Sequence, residues 1–548
     1  MIRISKEIQN SVLKKYCRAI VHMRQENDNN RFGLILGAGV SNQFGFPIWR
    51  DLIEKIAKHP DVNAEDLLGK TNSDTSLTQL LYQQYRSRRI EKENIPDPSF
   101  NKLEMTIKAD WHKIVRELLY ENVPKDFETT KKSDKYLQNF LELMKNRVTI
   151  NHNFDDTVEQ FLASFRTDDE KDRIRGFKTI WCDNIPILPE TSVIYHPNGF
   201  LPRDLSNNPS PDLVLLEDSF EDRLIGNGSG HYAFLVNHLA QVTCLFIGHS
   251  LQDPTVRHLL RNNALNHPGQ YHYFISFVNS HDQIPEENKE KFQKSVSDSN
   301  FEVYNLITLF LNSEEIAALG YLLNISKDQF SPQVQEVGEY NVYKFFLTGS
   351  VSVGKSTVAS HFKNLTSHDE WLDPLPDGME KDPNLVEEER IKKIDQWVAN
   401  QVGKKNLNLS QKDSGIHIID RCPLDAFAFT EKRYWKEKAI LLQAGISPGE
   451  SNRKLCPGHI IFMTGDPAII AVRSILKHRV TDAEKLKKQQ EMLNEVYGKN
   501  GNSVTIVDTR DKSIPQVVKD IARIIYNNEY VEAPMDDWLN KIKVEGQL

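Results

Sequence analysis

Residues 349–357, GSVSVGKST, combine two glycines, a lysine and hydroxyls in the spacing G-x-x-x-x-G-K-[ST], directly after the apolar run 342–347. Gly349 and Gly354 let the backbone curl so that successive N–H groups converge on phosphate oxygens. Lys355 adds a point charge for the terminal phosphates, and Ser356, with Thr357 beside it, offers a hydroxyl that can ligate Mg²⁺. The stretch STVASHFKNL that follows is expected to be a helix whose positive end faces the same anion. ATP or another nucleotide with Mg²⁺ is therefore the expected ligand. Asp420 ends the apolar run IHIID, where a carboxylate can hold the metal or its water shell, and Arg421 follows at once. Arg473 and Arg479 lie in DPAIIAVRSILKHR; they can close over transferring phosphates, or equally form a solvated helix surface.

A second glycine-rich turn, GAGVSNQFGFPIWR at 37–50, ends another apolar run. Gly37 and Gly39, with Ala38 between them, permit close approach of a pyrophosphate, and Ser41 adds a hydroxyl donor. Gly45 allows a second tight turn. Pro47 is expected to open the helix PIWRDLIEKIA, with Trp49, Leu52, Ile53 and Ile56 toward a sheet and Arg50 toward the ligand. A dehydrogenase fingerprint would place its third glycine where Asn42 stands, so that reading fits poorly.

The turn resembles the first motif of the sirtuin (silent information regulator) family, Gly-Ala-Gly-x-Ser and then Gly-Ile-Pro-x-Phe-Arg. Three further stretches are similar in the family's order. INHNFDDTVE (150–159) resembles the Asn-x-Asp motif, IYHPNGFLP (194–202) the motif of the catalytic histidine, and LFIGHSLQDPTVRHLL (245–260) the Gly-x-Ser strand end. The resemblance implies NAD⁺ as substrate, with Gly37, Ala38, Gly39, Ser41, Arg50, Gly248, Ser250 and Asp253 binding it. It implies His196, Asn153 and Asp155 as catalytic residues; His152 and His249 beside them rank lower. The chemistry suits these types. Cleaving the nicotinamide–ribose bond leaves an oxocarbenium-like ribose that an aspartate can stabilise, while Asn153 can hold a water or the amide. A histidine with an ordinary pKa of about 6.5 can serve as general base.

The chain lacks the paired cysteines that hold zinc in deacetylating sirtuins, and Ile48 replaces an acidic residue common there, so zinc and protein-lysine deacetylation are not expected. Bacterial sirtuin-like domains without zinc fit better. These are largely NAD⁺-hydrolysing effectors of antiphage defence, which implies a homo-oligomer and a phage-derived trigger or partner protein. Residues 340–530 resemble the thymidylate and deoxynucleoside kinase group of the P-loop superfamily. DRCPLD (420–425) echoes the acid–arginine pair of that group. The acceptor part is expected in 370–397, where no base-reading motif stands out.

The elements that must position these residues follow from the apolar pattern. FGLILG, RVTI, VTCLFIG and YHYFISF read as strands of a first parallel sheet; VYKFFLTG, IHIID, HIIFMTG and SVTIVD read as strands of a second. The expected class is α/β: a Rossmann-like sheet with a helical insertion at about 60–145, then a P-loop kinase-like domain. The boundaries read as 1–325, a linker at 326–341 and 342–548. Val517, Val518, Ile521, Ile524 and Ile525 share a face of a last helix with Pro515 near its start. A net charge of -8 argues against general binding to nucleic acid or acidic membranes. The five cysteines form no CxxC pair, no signal peptide opens the chain, and no segment reaches the roughly 20 apolar residues of a span. A cytoplasmic protein with small-molecule nucleotide partners is expected. The principal expectation is a nucleotide-gated NAD⁺ hydrolase; the alternative is a working kinase whose first domain senses NAD⁺ or ADP-ribose.

Overall fold

The computed structural model describes residues 2–70, 73–93, 100–164, 176–181, 191–207, 209–211, 213–219, 230–251, 253–278, 284–376, 387–449, 451–476, 482–498 and 501–546. The chain forms two units. The first takes Met1–Lys15, Glu26–Asn266 and Tyr271–Phe330; the second takes Tyr16–Gln25, His267–Gln270 and Ser331–Leu548.

The first unit carries β1 (Phe32–Leu36), β2 (Val148–Asn151), β3 (Phe177–Ile180), β4 (Ser192–Tyr195), β5 (Thr243–Ile247), β6 (His272–Phe277) and β7 (Leu306–Leu311). They pair in the order β3-β4-β2-β1-β5-β6-β7, every pair parallel. Parallel strands covered on both faces read as unbroken apolar runs, and every residue of β1 and β5 is buried. On one face Ile35, Ile150, Tyr195, Phe246 and Leu259 share a core. The chain leaves β1 toward β2 and later returns to β5 on its other side, so the carboxyl ends of β1 and β5 form a topological switch point. The helices Asp74–Glu93 and Phe100–Tyr120 lie in the expected insertion, with Tyr82 and Tyr85 packed on Trp111 at 5.3 and 5.6 Å.

The second unit carries β8 (Val342–Gly349), β9 (Thr366–His368), β10 (Gly415–Asp420), β11 (His459–Thr464) and β12 (Val504–Asp508), ordered β12-β11-β8-β10-β9 and all parallel. Both sheets give the mixed α/β class, Rossmann-like in the first unit and P-loop kinase-like in the second. Phe346, Ile419, Trp435, Phe462, Tyr497 and Leu539 share the core of the second. Residues 16–25 of the N-terminal helix Lys6–Asp28 contribute to this unit. Arg18 stacks over Tyr343 at 5.1 Å and donates to the carbonyls of Ile525 and Asn528 at 2.8 and 2.9 Å.

Several local expectations need correction. Strands β3, β4, β7 and β9 stood out less in the sequence; β9 is three polar-edged residues, and β4 is masked by the histidine motif it carries. Pro47 lies outside the helix, which is Trp49–Lys58 with Ile48 at its N-cap. The helix after the phosphate loop stops at Ala359, so its dipole is that of a single turn. Residues 326–341 contain the helix Lys327–Glu336. The helix Ile514–Tyr526 buries its five expected apolar residues and has a capping box from Ser513 and Gln516, but Met535–Glu545 follows it. No helix among the described residues is long and apolar enough to cross a membrane.

Glu26, 1% exposed, accepts from Arg31 Nη2 at 2.8 Å and Thr243 Oγ1 at 3.2 Å. Burial outweighs both partners and pushes its carboxyl up from 4.5 to about 7. A carboxyl raised on folding favours the protonated native state. Its contribution is complete below the unfolded value and is lost as pH rises through about 7. Thermal melts between about pH 5 and about pH 8 are expected to show falling stability, with Glu26→Gln removing on the order of 3 kcal/mol of that fall.

Candidate functional site

At the switch point the two glycine-bearing loops are pressed together. The Gly37 N–H donates to the Ile247 carbonyl and the Gly39 N–H to the Gly248 carbonyl, each at 2.9 Å. A Cβ at Gly39 would meet Gly248 Cα at 2.9 Å, and one at Gly248, whose φ is +75°, would meet the Val40 nitrogen at 2.5 Å. The glycines are thus demanded by each other, before any ligand is considered. Gly45, at φ +96°, would bring a Cβ within 2.6 Å of the Asn122 carbonyl, where the insertion returns. Asn42, at the place of a third dehydrogenase glycine, ties this turn by donating to the Phe46 carbonyl at 3.0 Å.

Gly37, Ser41, Asn153 and His196, all expected, join one buried hydrogen-bond network. Asn153 Nδ2 donates to the Gly37 carbonyl and to Ser41 Oγ, both at 3.0 Å. The Asp155 carboxyl, beside Ser41, accepts from the Thr157 N–H at 3.1 Å. Burial raises the Asp155 carboxyl, and those hydrogen bonds restrain the rise. His196, fully buried, places Nδ1 at 2.7 Å from the Asn153 carbonyl and Nε2 at 2.8 Å from Glu159 Oε1. Burial opposes its charge, but Glu159, the Asn153 carbonyl and Asp155 together raise the imidazole above its ordinary value. Glu159 was not singled out in the sequence; its place one helical turn past Asp155 was the available signal. Both ring nitrogens of His196 are engaged within the protein, so the direct general-base role does not fit. Asn153, bonded to His196 through its carbonyl, has an Oδ1 that makes no hydrogen bond among the described residues.

Other expected residues lie elsewhere. Ala38 starts the short helix Ala38–Asn42. Arg50 is an exposed side chain 3.6 Å from Glu54 on the surface of its helix rather than turned toward a ligand. Asp253 Oδ1 accepts from the Thr255 and Val256 N–H groups at 2.8 and 3.3 Å, as a helix cap does. Ser250 is exposed beside it. His152 and His249 meet edge to face at 5.1 Å, and burial with the neighbouring ring pushes His249 down to about 3.

In the second unit the glycine-rich loop follows β8 directly. Gly349 has φ +147° and a Cβ there would meet the Met463 carbonyl at 2.5 Å; Gly354 has φ +117° in open space, so its demand is conformational. Lys355 Nζ donates to the Gly349 and Ser350 carbonyls at 2.9 and 3.1 Å; burial first and Arg421 second lower its pKa to about 8. Ser356 Oγ donates to Asp420 Oδ2 at 2.5 Å, while the buried Asp420 Oδ1 has no partner among the described residues. A hydroxyl and an orphaned carboxylate oxygen side by side are hard oxygen donors that fit Mg²⁺. Thr357 is half-buried in the following turn. Ser352 Oγ reaches Ser474 Oγ at 2.8 Å, which brings the helix Pro467–Leu476 against the loop, with Arg473 exposed on it. Arg479 falls outside the described residues.

Beside the loop lies a cavity of about 270 Å³ that the sequence did not reveal. Arg421, held at φ +71°, donates Nε to Glu370 Oε1 at 2.5 Å and lies 5.2 Å over Phe429. Lys405 Nζ donates to the Asp369 and Asp420 carbonyls, both at 2.6 Å, and burial lowers it to about 8. Asp425 Oδ1 accepts from Thr348 Oγ1 at 2.5 Å and Tyr497 OH at 2.8 Å, and burial raises its carboxyl. Trp371, Val398 and Phe429 add apolar wall. The cavity thus takes Glu370, Trp371, Ile394 and Asp395 from the stretch expected to bind the acceptor.

A family model described as a SIR2-like domain matches residues 147–304. Among solved structures, a thymidylate kinase from Candida albicans is 19% identical, with 35% of this chain and 95% of that chain covered and a TM-score of 0.25. EHV4-TK complexed with TP4A is 9% identical, with 37% and 96% covered and a TM-score of 0.23. No curated protein matches the chain.

The interlocked loops carry a direct test. Gly248→Ala is expected to lower the unfolding midpoint markedly, by more than about 2 kcal/mol, because strain and a backbone clash coincide. Gly69→Ala, at φ +73° but with nothing within 4 Å, carries only the strain and is expected to cost about 1 kcal/mol. Chemical denaturation of both variants checks the difference.

Proposed function

We propose that the first unit hydrolyses NAD⁺ to nicotinamide and ADP-ribose and that nucleotide binding by the P-loop unit gates this reaction. In a bacterial cell the resulting NAD⁺ depletion would act as antiphage defence by abortive infection, with a homo-oligomer and a phage-derived trigger as the expected setting. The observation that carries the reading is the buried network at the switch point in which Asn153 donates to the Gly37 carbonyl and Ser41, its own carbonyl meets His196, and His196 meets Glu159, with Asp155 beside them. The SIR2-like match over Asn153, Asp155 and His196 supports it.

In this reaction the electron pair of the glycosidic C–N bond leaves with nicotinamide, and C1′ of the ribose becomes cationic. Ionised Asp155 stabilises that charge. Water adds at C1′ and passes its proton to bulk water, with Asn153 Oδ1 available to orient the attacking molecule. The His196–Glu159 pair holds Asn153 in register.

A second reading is favoured by the cavity beside the P-loop: the second unit phosphorylates a nucleoside or nucleotide. Glu370, fixed by Arg421, can accept the proton of a hydroxyl as its oxygen attacks the terminal phosphorus of ATP and ADP leaves. When bound, Mg²⁺ would neutralise charge on the phosphates, held through Ser356 and Asp420.

Purified protein incubated with NAD⁺, alone and with ATP plus nucleosides or monophosphates, separates the readings by nicotinamide release and phosphoryl transfer. No nicotinamide under any condition would sink the first. His196→Ala is expected to abolish NAD⁺ loss, with thermal melts separating lost chemistry from lost fold, since removing one partner of a buried ion pair costs about 3–5 kcal/mol. Lys355→Ala is expected to leave basal NAD⁺ loss unchanged while abolishing its response to ATP. An unaltered response would end the gating idea.

A further inference from the structure

The cavity of the second unit has a charged pair on its wall that phosphate handling does not use. Asp395 lies on the helix Glu387–Ser410 and Lys438 on the helix Trp435–Ile446. Lys438 Nζ donates to Asp395 Oδ1; the lysine side chain is 4% exposed and the aspartate 25%. Both line the cavity, next to Ile394 and Val398. Lys405, on the same helix as Asp395, touches the Asp420 carbonyl, and Asp420 bonds the phosphate-loop Ser356. Asp395 therefore sits about 15 Å along the helix from the residue that meets the phosphate end, at a rise of 1.5 Å per residue. That spacing leaves room for a sugar and a base between the two ends.

We propose that Asp395 and Lys438 are the base reader of this cavity and select a nucleoside whose base carries an exocyclic amine and a hydrogen-bond acceptor on the same edge, as guanine, cytosine and adenine do and thymine and uracil do not. The proposal rests on reading the cavity as the acceptor site for phosphoryl transfer. An ammonium has three donors and a carboxylate about four acceptor sites, and one of each is spent within the pair. Among the described residues neither side chain has another hydrogen-bond partner. A buried charged pair in an apolar wall is costly compared with apolar side chains of the same volume, so packing does not account for it. A few convergent polar groups in an apolar pocket are instead what fixes a ligand's orientation.

The pair presents an acceptor next to a donor. Guanine matches with its ring and exocyclic N–H groups on Asp395 and its O6 on Lys438. Cytosine matches with its amine on Asp395 and its ring nitrogen or carbonyl on Lys438. Thymine and uracil offer a single N–H flanked by two carbonyls, and a carboxylate facing that N–H meets carbonyl lone pairs on both sides.

Calorimetric titration of the full-length protein with deoxyguanosine, deoxyinosine, deoxycytidine and thymidine, in the presence of Mg²⁺ and a non-hydrolysable ATP analogue, tests this. Deoxyguanosine and deoxycytidine are expected to bind about tenfold or more tightly than thymidine. Deoxyinosine, which lacks only the exocyclic amine, should lose about fivefold or more against deoxyguanosine. The double variant Asp395→Asn/Lys438→Gln removes both charges together and is expected to shrink these ratios below about threefold. Thymidine binding as tightly as deoxyguanosine, or ratios unchanged in the double variant, would overturn the base reader while leaving the acceptor reading standing. If the analogue binds and no nucleoside does, the acceptor reading falls and takes the base reader with it. The deoxyguanosine–deoxyinosine comparison needs no variant, so it decides the matter even if the double variant fails to fold.

Discussion

The first unit depends on the contact between two loops that could not touch if either carried side chains. The turn after β1 and the turn after β5 share backbone hydrogen bonds, and the space a Cβ would need at Gly39 or Gly248 is filled by the other loop's main chain. That contact fixes where the Gly37 carbonyl points. Asn153 binds this carbonyl from the end of β2, and through Asn153 the network continues to Ser41 and His196, with Asp155 beside Ser41. A backbone contact between strand ends thus sets the geometry of the polar cluster. In a parallel sheet the strand ends are where main-chain groups leave the ladder and become available to side chains and ligands.

The second unit reaches a comparable arrangement by burying charge. Lys355 and Lys405 are each lowered to about 8, chiefly by burial, although acidic groups surround them. Asp425 is raised for the same reason, despite two hydroxyl donors. Such groups lose water without gaining full compensation inside the protein, and such perturbed groups cluster at functional sites. The unpartnered Asp420 Oδ1 and the left-handed backbone of Arg421 fit the same pattern of local cost held at a site by the fold around it.

Histidine 196 illustrates how a residue's type underdetermines its role. A histidine in a motif invites the reading of a proton acceptor, because its ordinary pKa lies near neutrality. In the fold both of its ring nitrogens are held, one by a carboxylate and one by a main-chain carbonyl. Glu159 decides this, and Glu159 reads in sequence as one acidic residue among many on an amphipathic helix. Ile48 stands exposed at the N-cap of the helix Trp49–Lys58, and nothing in the structure explains why an apolar residue occupies it.

What the sequence determined by itself was local or strongly patterned. The apolar runs of β1, β5, β8, β10 and β11 stated a parallel sheet, because strands buried on both faces must be apolar throughout. The phosphate loop was legible because glycine, lysine and serine act there within a single turn of chain. The membership of Asn153, Asp155, His196 and Ser41 in one site came from a resemblance, and their bonding could not be read, since partners lie far apart along the chain. Arg50 and Asp253 show the converse: they carry the right types in the right motifs, yet the fold turns one to solvent and makes the other a cap. The Glu370–Arg421 bond, the cavity and the Asp395–Lys438 pair were settled only in three dimensions. Each joins separate helices and strand ends, and only the packing of those elements brings their side chains within hydrogen-bonding reach.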